Sequence, residues 1–224
     1  MKDELIKEVN KSNKAVLYLV DVTSISEETL SPLKELTNKV YVILTKKDLL
    51  PRSVKDYKLI NYIKENNVKT ILEIGSAIGY SAIKFANIDN DITVTTIERD
   101  DERYNLAVEN INNSNLSNRI KIIHSDAFLV ELEDKFDMIF IDAAKSQYIK
   151  FFEKFKKNLN DKGVIISDNL SFHGFVEHPE LTNNRNTRQL VGKIRKYINF
   201  LKENNEFETV FYDLGDGVSV STKI

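Results

Sequence analysis

The sequence predicts an α/β fold, a doubly wound and mostly parallel sheet, and three observations predict it. From residue 70 onward short apolar runs alternate with amphipathic stretches, the order expected of strands joined by crossover helices. The last two apolar runs flank the turn Leu214-Gly215-Asp216, which makes them an antiparallel edge hairpin. With 224 residues, 42% hydrophobic and 29% charged, the chain can bury one sizeable core, and its composition excludes a disordered polymer.

The strands follow in order. Thr70 to Ile74 is an apolar run stopped by Gly75, and Ser81 to Ala86 has helical spacing. Ile92 to Ile97 is β-branched, and a helix follows from about Asp101 to Asn112. Ile120 to Ile123 and Phe136 to Ile141 are the third and fourth strands. A helix from about Ser146 to Leu159 places Ile149, Phe152 and Phe155 on one face. Gly163 to Ser167 is the fifth strand, Asn186 to Leu201 a long helix, and Glu208 to Asp213 and Gly217 to Thr222 the closing pair, seven strands from residue 70 on. Ahead of them the chain reads as a small βαβ extension: strand Lys14 to Val20, helix Ser26 to Leu36, strand Lys39 to Leu44. A linking helix from about Lys55 to Asn66 joins the two parts, so the expected domains are residues 1–54 and 55–224.

Several function classes drop out. Cysteine is absent, so disulfides and thiolate metal sites are impossible. No apolar run approaches 18 residues, and Met1-Lys2-Asp3-Glu4-Leu5 does not open a signal peptide, so a cytoplasmic protein without a membrane span is expected. The net charge of −2 gives no global field for nucleic acid. Two local basic segments stand out, Lys154, Lys156, Lys157 and Lys162, and then Arg185, Arg188, Lys193, Arg195 and Lys196. They read either as a contact surface or as solvated helix faces.

Chemistry concentrates at the carboxyl ends of the strands, where such sheets bind ligands. Glu73-Ile-Gly75-Ser76-Ala-Ile-Gly79-Tyr80-Ser81 closes the first strand and opens a helix. Its glycines let backbone approach a ligand, but it is neither G-x-G-x-x-G nor a phosphate loop. Glu98 ends the next strand at an offset of 98 − 75 = 23, near the roughly 20 residues expected of a carboxylate gripping ribose hydroxyls. Together they indicate a nucleoside ligand. Asp126, followed by Ala127, ends the third strand, where it could hold an adenine amino group or cap the next turn. His124 beside it reads as a packing residue. Asp142 ends the fourth strand, and Asp168 and Asn169 the fifth. If those strands are neighbours, two carboxylates and an amide suit a hard divalent cation such as Mg²⁺. Lys145, one turn from Asp142, is a candidate general base, with a surface lysine as the alternative.

Leu72-Glu-Ile-Gly75-Ser-Ala-Ile-Gly-Tyr-Ser81, Phe140-Ile-Asp-Ala-Ala-Lys145 and Ser167-Asp-Asn169 carry a family likeness, as do Phe172 to Val176, Arg185 to Arg188 and Leu214 to Val218. From about residue 55 to the end the chain resembles the bacterial branch of the metal-dependent O-methyltransferases, which includes the catechol and caffeoyl-coenzyme A enzymes. Within it the chain is most similar to tRNA 5-hydroxyuridine methyltransferases. The resemblance implies a Rossmann-like methyltransferase sheet, S-adenosyl-L-methionine as methyl donor and a Mg²⁺ or other divalent cofactor. It implies Asp142, Asp168 and Asn169 as metal ligands, Lys145 as base, Glu98 as ribose contact, and Asp126 and Ala127 flanking adenine. It also implies a homodimer and tRNA as the methylated partner, with a small catechol-like phenol as the alternative acceptor. A non-enzymatic module that docks a ribosomal or GTPase partner is a third reading, which the intact Asp142, Asp168 and Asn169 set opposes.

The front differs. Val20-Asp-Val22 and Leu44-Thr-Lys-Lys-Asp48-Leu-Leu-Pro-Arg-Ser-Val54 resemble the guanine-reading stretch of circularly permuted GTPases. Thr45 stands where that stretch has asparagine, and no G-x-x-x-x-G-K-[ST] occurs. GTP hydrolysis is therefore not expected.

Overall fold

In the computed structural model the described residues are 10–11, 33–34, 36–37, the backbone of 16–21, 40–45 and 53–57, and 58–224 except 214. The chain divides into two compact units, Met1–Val54 and Lys55–Ile224. In the first, β1 (Val16–Asp21) pairs in parallel with β2 (Val40–Thr45), in register from Val16 opposite Val40 to Asp21 opposite Thr45. The helix expected over 26–36 lies largely outside the described residues.

Helix α1 (Ser53–Glu65) leads into the larger unit. There β3 (Thr70–Ile74), β4 (Thr93–Glu98), β5 (Ile120–His124), β6 (Phe136–Ile141), β7 (Leu159–Asp168), β8 (Phe207–Tyr212) and β9 (Val218–Lys223) form one seven-stranded sheet. The order is β5-β4-β3-β6-β7-β9-β8. The first five strands are mutually parallel, and β9 runs antiparallel to both β7 and β8. This is the predicted doubly wound sheet with its antiparallel edge. The central strands β3 and β6 are buried along nearly their whole length because helices cover both faces.

One face packs on α4 (Tyr148–Phe155) and α5 (Arg185–Lys202). Tyr148, Phe151, Phe152 and Phe155 recur at helical spacing and are all buried. Each such ring contributes roughly 1.5–3 kcal/mol on leaving water. The other face takes Ile63 of α1, Ala82 and Phe85 of α2 (Tyr80–Ala86) and Ile111 of α3 (Asp101–Asn113). Toward β9 this face leaves a cleft of about 330 Å³, lined by Leu59, Tyr62, Ile166 and Val220 among others.

Two boundaries differ from expectation by more than two residues. The predicted 146–159 helix is a 3₁₀ turn (Lys145–Gln147), α4 and a second 3₁₀ turn (Lys156–Asn158). Strand β7 begins at Leu159, before the expected Gly163. Asn160-Asp161-Lys162-Gly163 reads as a turn, yet Leu159 still pairs with Phe136, and the register then shifts before Val164 pairs with Met138.

Candidate active site

The sheet reverses direction of growth between β3 and β6, and the turns that leave these two strands lie against each other. Gly75 carries φ +98°, and a Cβ there would come within 2.5 Å of the Asp142 carbonyl oxygen. Glycine is required by both the conformation and the contact. The Gly75 and Ser76 amides donate to the Ile97 carbonyl at 3.1 Å, and Gly79 to Ser76 at 2.9 Å. Gly79 (φ +81°) then lets α2 start against Ala107 of α3. Tyr80 is exposed beside the loop, and Ser81 is half-buried below it.

Two carboxylates brace this loop. Glu73 is fully buried and accepts from Ser81 Oγ and, at 2.6 Å, from Thr96 Oγ1. Burial raises its pKa from 4.5 to about 7 against those hydrogen bonds, with the charges of Asp142 and Glu98 adding to the rise. Glu98, at the end of β4, accepts from Ala77 N at 2.8 Å through Oε2 and from Arg99 N and Asp100 N at 3.0 Å through Oε1. It fixes the loop while keeping unused acceptor capacity on Oε2. Ser76 Oγ is buried without a hydrogen-bond partner. An orphaned hydroxyl costs free energy unless a ligand satisfies it, so the loop fits a polar cofactor. At the end of β5, Asp126 Oδ1 accepts from Phe128 N at 2.9 Å and Oδ2 lies 3.5 Å from Arg99, while Ala127 is buried. The turn-capping role of Asp126 is present in the fold. His124 is exposed, stacks on Tyr104 at 4.2 Å and meets Asp101 at 3.0 Å.

Strands β6 and β7 are neighbours, so Asp142 and the Asp168-Asn169 pair emerge side by side. Asn169 has φ +61° and its Nδ2 donates to Asp142 Oδ1 at 2.8 Å. Among the described residues no three His, Cys, Asp or Glu side chains gather as a metal cluster. A cation here would rest on two carboxylates and one amide, a hard oxygen set once the Asn169 amide turns its oxygen inward. Lys145 is half-buried on the adjoining 3₁₀ turn, its Nζ 5.9 Å from the centre of the Phe172 ring. The loop carrying Phe172 is unusual: Asn169, Phe172, His173 and Gly174 all have left-handed backbone, a strain that clusters at functional sites.

Three contributors escaped the sequence reading. Thr96 was hidden in a β-branched run, although a polar residue midway along a buried strand is a usable signal. Tyr148 donates to the Asp168 carbonyl at 2.9 Å, and the Tyr197 hydroxyl lies 2.6 Å from Ser167 Oγ. Both tyrosines pass for ordinary helix core, and only tertiary packing reveals their hydroxyl partners. In the second basic segment all five side chains are exposed, and two of them also bond the fold, Arg188 to the Thr182 carbonyl and Arg195 to the Val176 carbonyl.

Comparison with known proteins agrees with this fold. The O-methyltransferase family model matches residues 21–224, reaching into the front unit. The caffeoyl-CoA O-methyltransferase of Populus kitakamiensis is 27% identical over 226 residues, 94% of this chain and 93% of that protein. A Staphylococcus aureus crystal structure, provisionally named a caffeoyl-CoA O-methyltransferase, matches with TM-score 0.74 and 34% identity over 100% of this chain and 99% of its own. The Bacillus cereus O-methyltransferase in complex with SAH matches with TM-score 0.65 and 26% identity over 76% of this chain and 81% of its own. With the family model matching most of its length and a solved relative at 34% identity covered almost completely, the chain belongs to the O-methyltransferase family.

Proposed function

We propose that this S-adenosylmethionine-dependent O-methyltransferase uses a divalent cation and methylates 5-hydroxyuridine at the wobble position of tRNA. The observation that carries the reading is the convergence of Asp142, Asp168, Asn169 and Lys145 beside the Gly75 loop. In this reading Glu98 accepts from ribose hydroxyls, Asp126 faces the adenine amino group, and the Ser76 hydroxyl gains the partner it lacks. S-adenosylmethionine supplies the methyl group as a sulfonium. Asp142, Asp168 and Asn169 would hold a divalent cation, which when bound would supply Lewis acidity toward the acceptor hydroxyl. Lys145 takes the hydroxyl proton, and the strand ends fix donor and acceptor in one orientation, an effect worth several kcal/mol. The Phe172 ring beside Lys145 is a flat surface against which an unsaturated acceptor ring can stack. Residues 1–54 form a separate βαβ extension in this reading, without nucleotide hydrolysis.

The exposed Arg185, Lys193 and Lys196 on α5 support a polyanionic acceptor. Two observations favour the second reading, a small catechol-like phenol: the name of the Populus relative, and the use of Arg188 and Arg195 within the fold. Methyl-labelled cofactor offered with hydroxylated tRNA and, separately, with a catechol decides between them. Label in tRNA at the hydroxyuridine is expected; label in the catechol alone would replace the tRNA reading with the phenol one.

A further inference from the structure

We infer that Tyr148 is a positioning residue that ties the two arms of the cation site together, an inference that rests on the proposed cation reading. Its hydroxyl, 1% exposed with its ring, donates to the Asp168 carbonyl at 2.9 Å. That carbonyl lies where β7 ends and the chain turns into the left-handed Asn169. Three residues before Tyr148 stands Lys145, and three before that Asp142. One side chain therefore links the Asp142–Lys145 arm, covalently, to the Asp168–Asn169 arm, by hydrogen bond.

The choice of residue is informative. Along the same buried face α4 uses Phe151, Phe152 and Phe155, which fill the core without a polar atom. At 148 alone on that face a hydroxyl is carried into the aromatic cluster, where it must be satisfied or cost stability. Tyr197, edge-on to Tyr148 at 5.3 Å, has its hydroxyl 2.6 Å from the Ser167 side-chain hydroxyl, one residue back along β7. Two consecutive residues of the ligand-bearing strand end are thus held from below by tyrosine hydroxyls. Partners behind metal ligands commonly tune affinity by tenfold or more.

The test compares Tyr148→Phe with Phe152→Leu, a change in the same cluster that removes no hydroxyl. In the full-length protein, Mn²⁺ binding and S-adenosylmethionine binding are each titrated by calorimetry, and melting temperature is recorded. Tyr148→Phe is expected to raise the Mn²⁺ Kd about tenfold with cofactor Kd within about twofold. Phe152→Leu is expected to melt earlier yet bind Mn²⁺ like the wild type. Wild-type Mn²⁺ affinity in Tyr148→Phe, or equal weakening by Phe152→Leu, overturns the positioning role. A wild-type protein that binds no Mn²⁺ removes the cation reading itself, and this inference with it.

Discussion

At the glycine loop Glu98 is held by backbone amides, whereas at the neighbouring acidic edge Asp142 is met by a side-chain amide. Glu98 takes three main-chain amides, and Gly75 is seated directly against the Asp142 carbonyl. At the acidic edge Asp142 is met by the Asn169 amide, and Asp168 is steadied from beneath by Tyr148. Backbone-held geometry is fixed as soon as the strands pair, and changes there cost stability as well as binding. Side-chain geometry depends on packing several elements away, and its removal costs chemistry before it costs the fold.

The largest separation should come from the acidic edge. Replacing Asp142 or Asp168 with Ala is expected to reduce methyl transfer by at least about a thousandfold, roughly 4 kcal/mol of barrier. S-adenosylmethionine binding should stay within about tenfold, since the cofactor is read from the other turn. Steady-state rates and calorimetric titration of the same preparations check both halves. A Gly75→Ala change attacks the backbone side: its Cβ clashes with main chain at a φ of +98°. A stability loss of about 3 kcal/mol is expected in chemical denaturation, and an unchanged midpoint would show that the loop relaxes freely.

The buried Glu73 sharpens the comparison through pH. Its pKa is raised by burial from 4.5 to about 7, so the folded chain retains a proton there that the unfolded chain releases. The stabilisation from this group is full below about 4.5 and is lost as pH rises through about 7. Between those limits the wild type should lose on the order of 3 kcal/mol relative to Glu73→Gln. Parallel stability curves for the two proteins from pH 4 to 8 would contradict the assignment. The smallest effect is expected from Glu98→Ala, with cofactor affinity weakened by about 1.5–3 kcal/mol. Because Glu98 also accepts three backbone amides, melting should fall as well, and calorimetry showing wild-type affinity would refute the ribose contact.

Much of this was legible beforehand, for physical reasons. Periodicity placed β3 and β6 on their observed residues because central parallel strands are mostly apolar, and acidic residues just beyond their ends break that pattern visibly. Strand β7 was cut short because Asp161-Lys162-Gly163 has turn chemistry while its backbone still runs in the strand. Glu73 was readable as part of a glycine motif, but not as a proton-retaining carboxylate beneath it, since its hydroxyl partners are set by tertiary packing. The same holds for Tyr148. For the front unit the expected likeness to a GTPase stretch is not shown, and the O-methyltransferase family match already begins at residue 21.

In the proposed mechanism the acidic edge works through a bound cation while the glycine loop works without one. Methyl transfer to the hydroxylated acceptor, measured before chelation, in excess chelator and after Mg²⁺ is restored, tests it most directly. Activity should vanish on chelation and return with Mg²⁺, while S-adenosylmethionine affinity in chelator stays within about tenfold of its starting value. Full methyl transfer in excess chelator would contradict the claim.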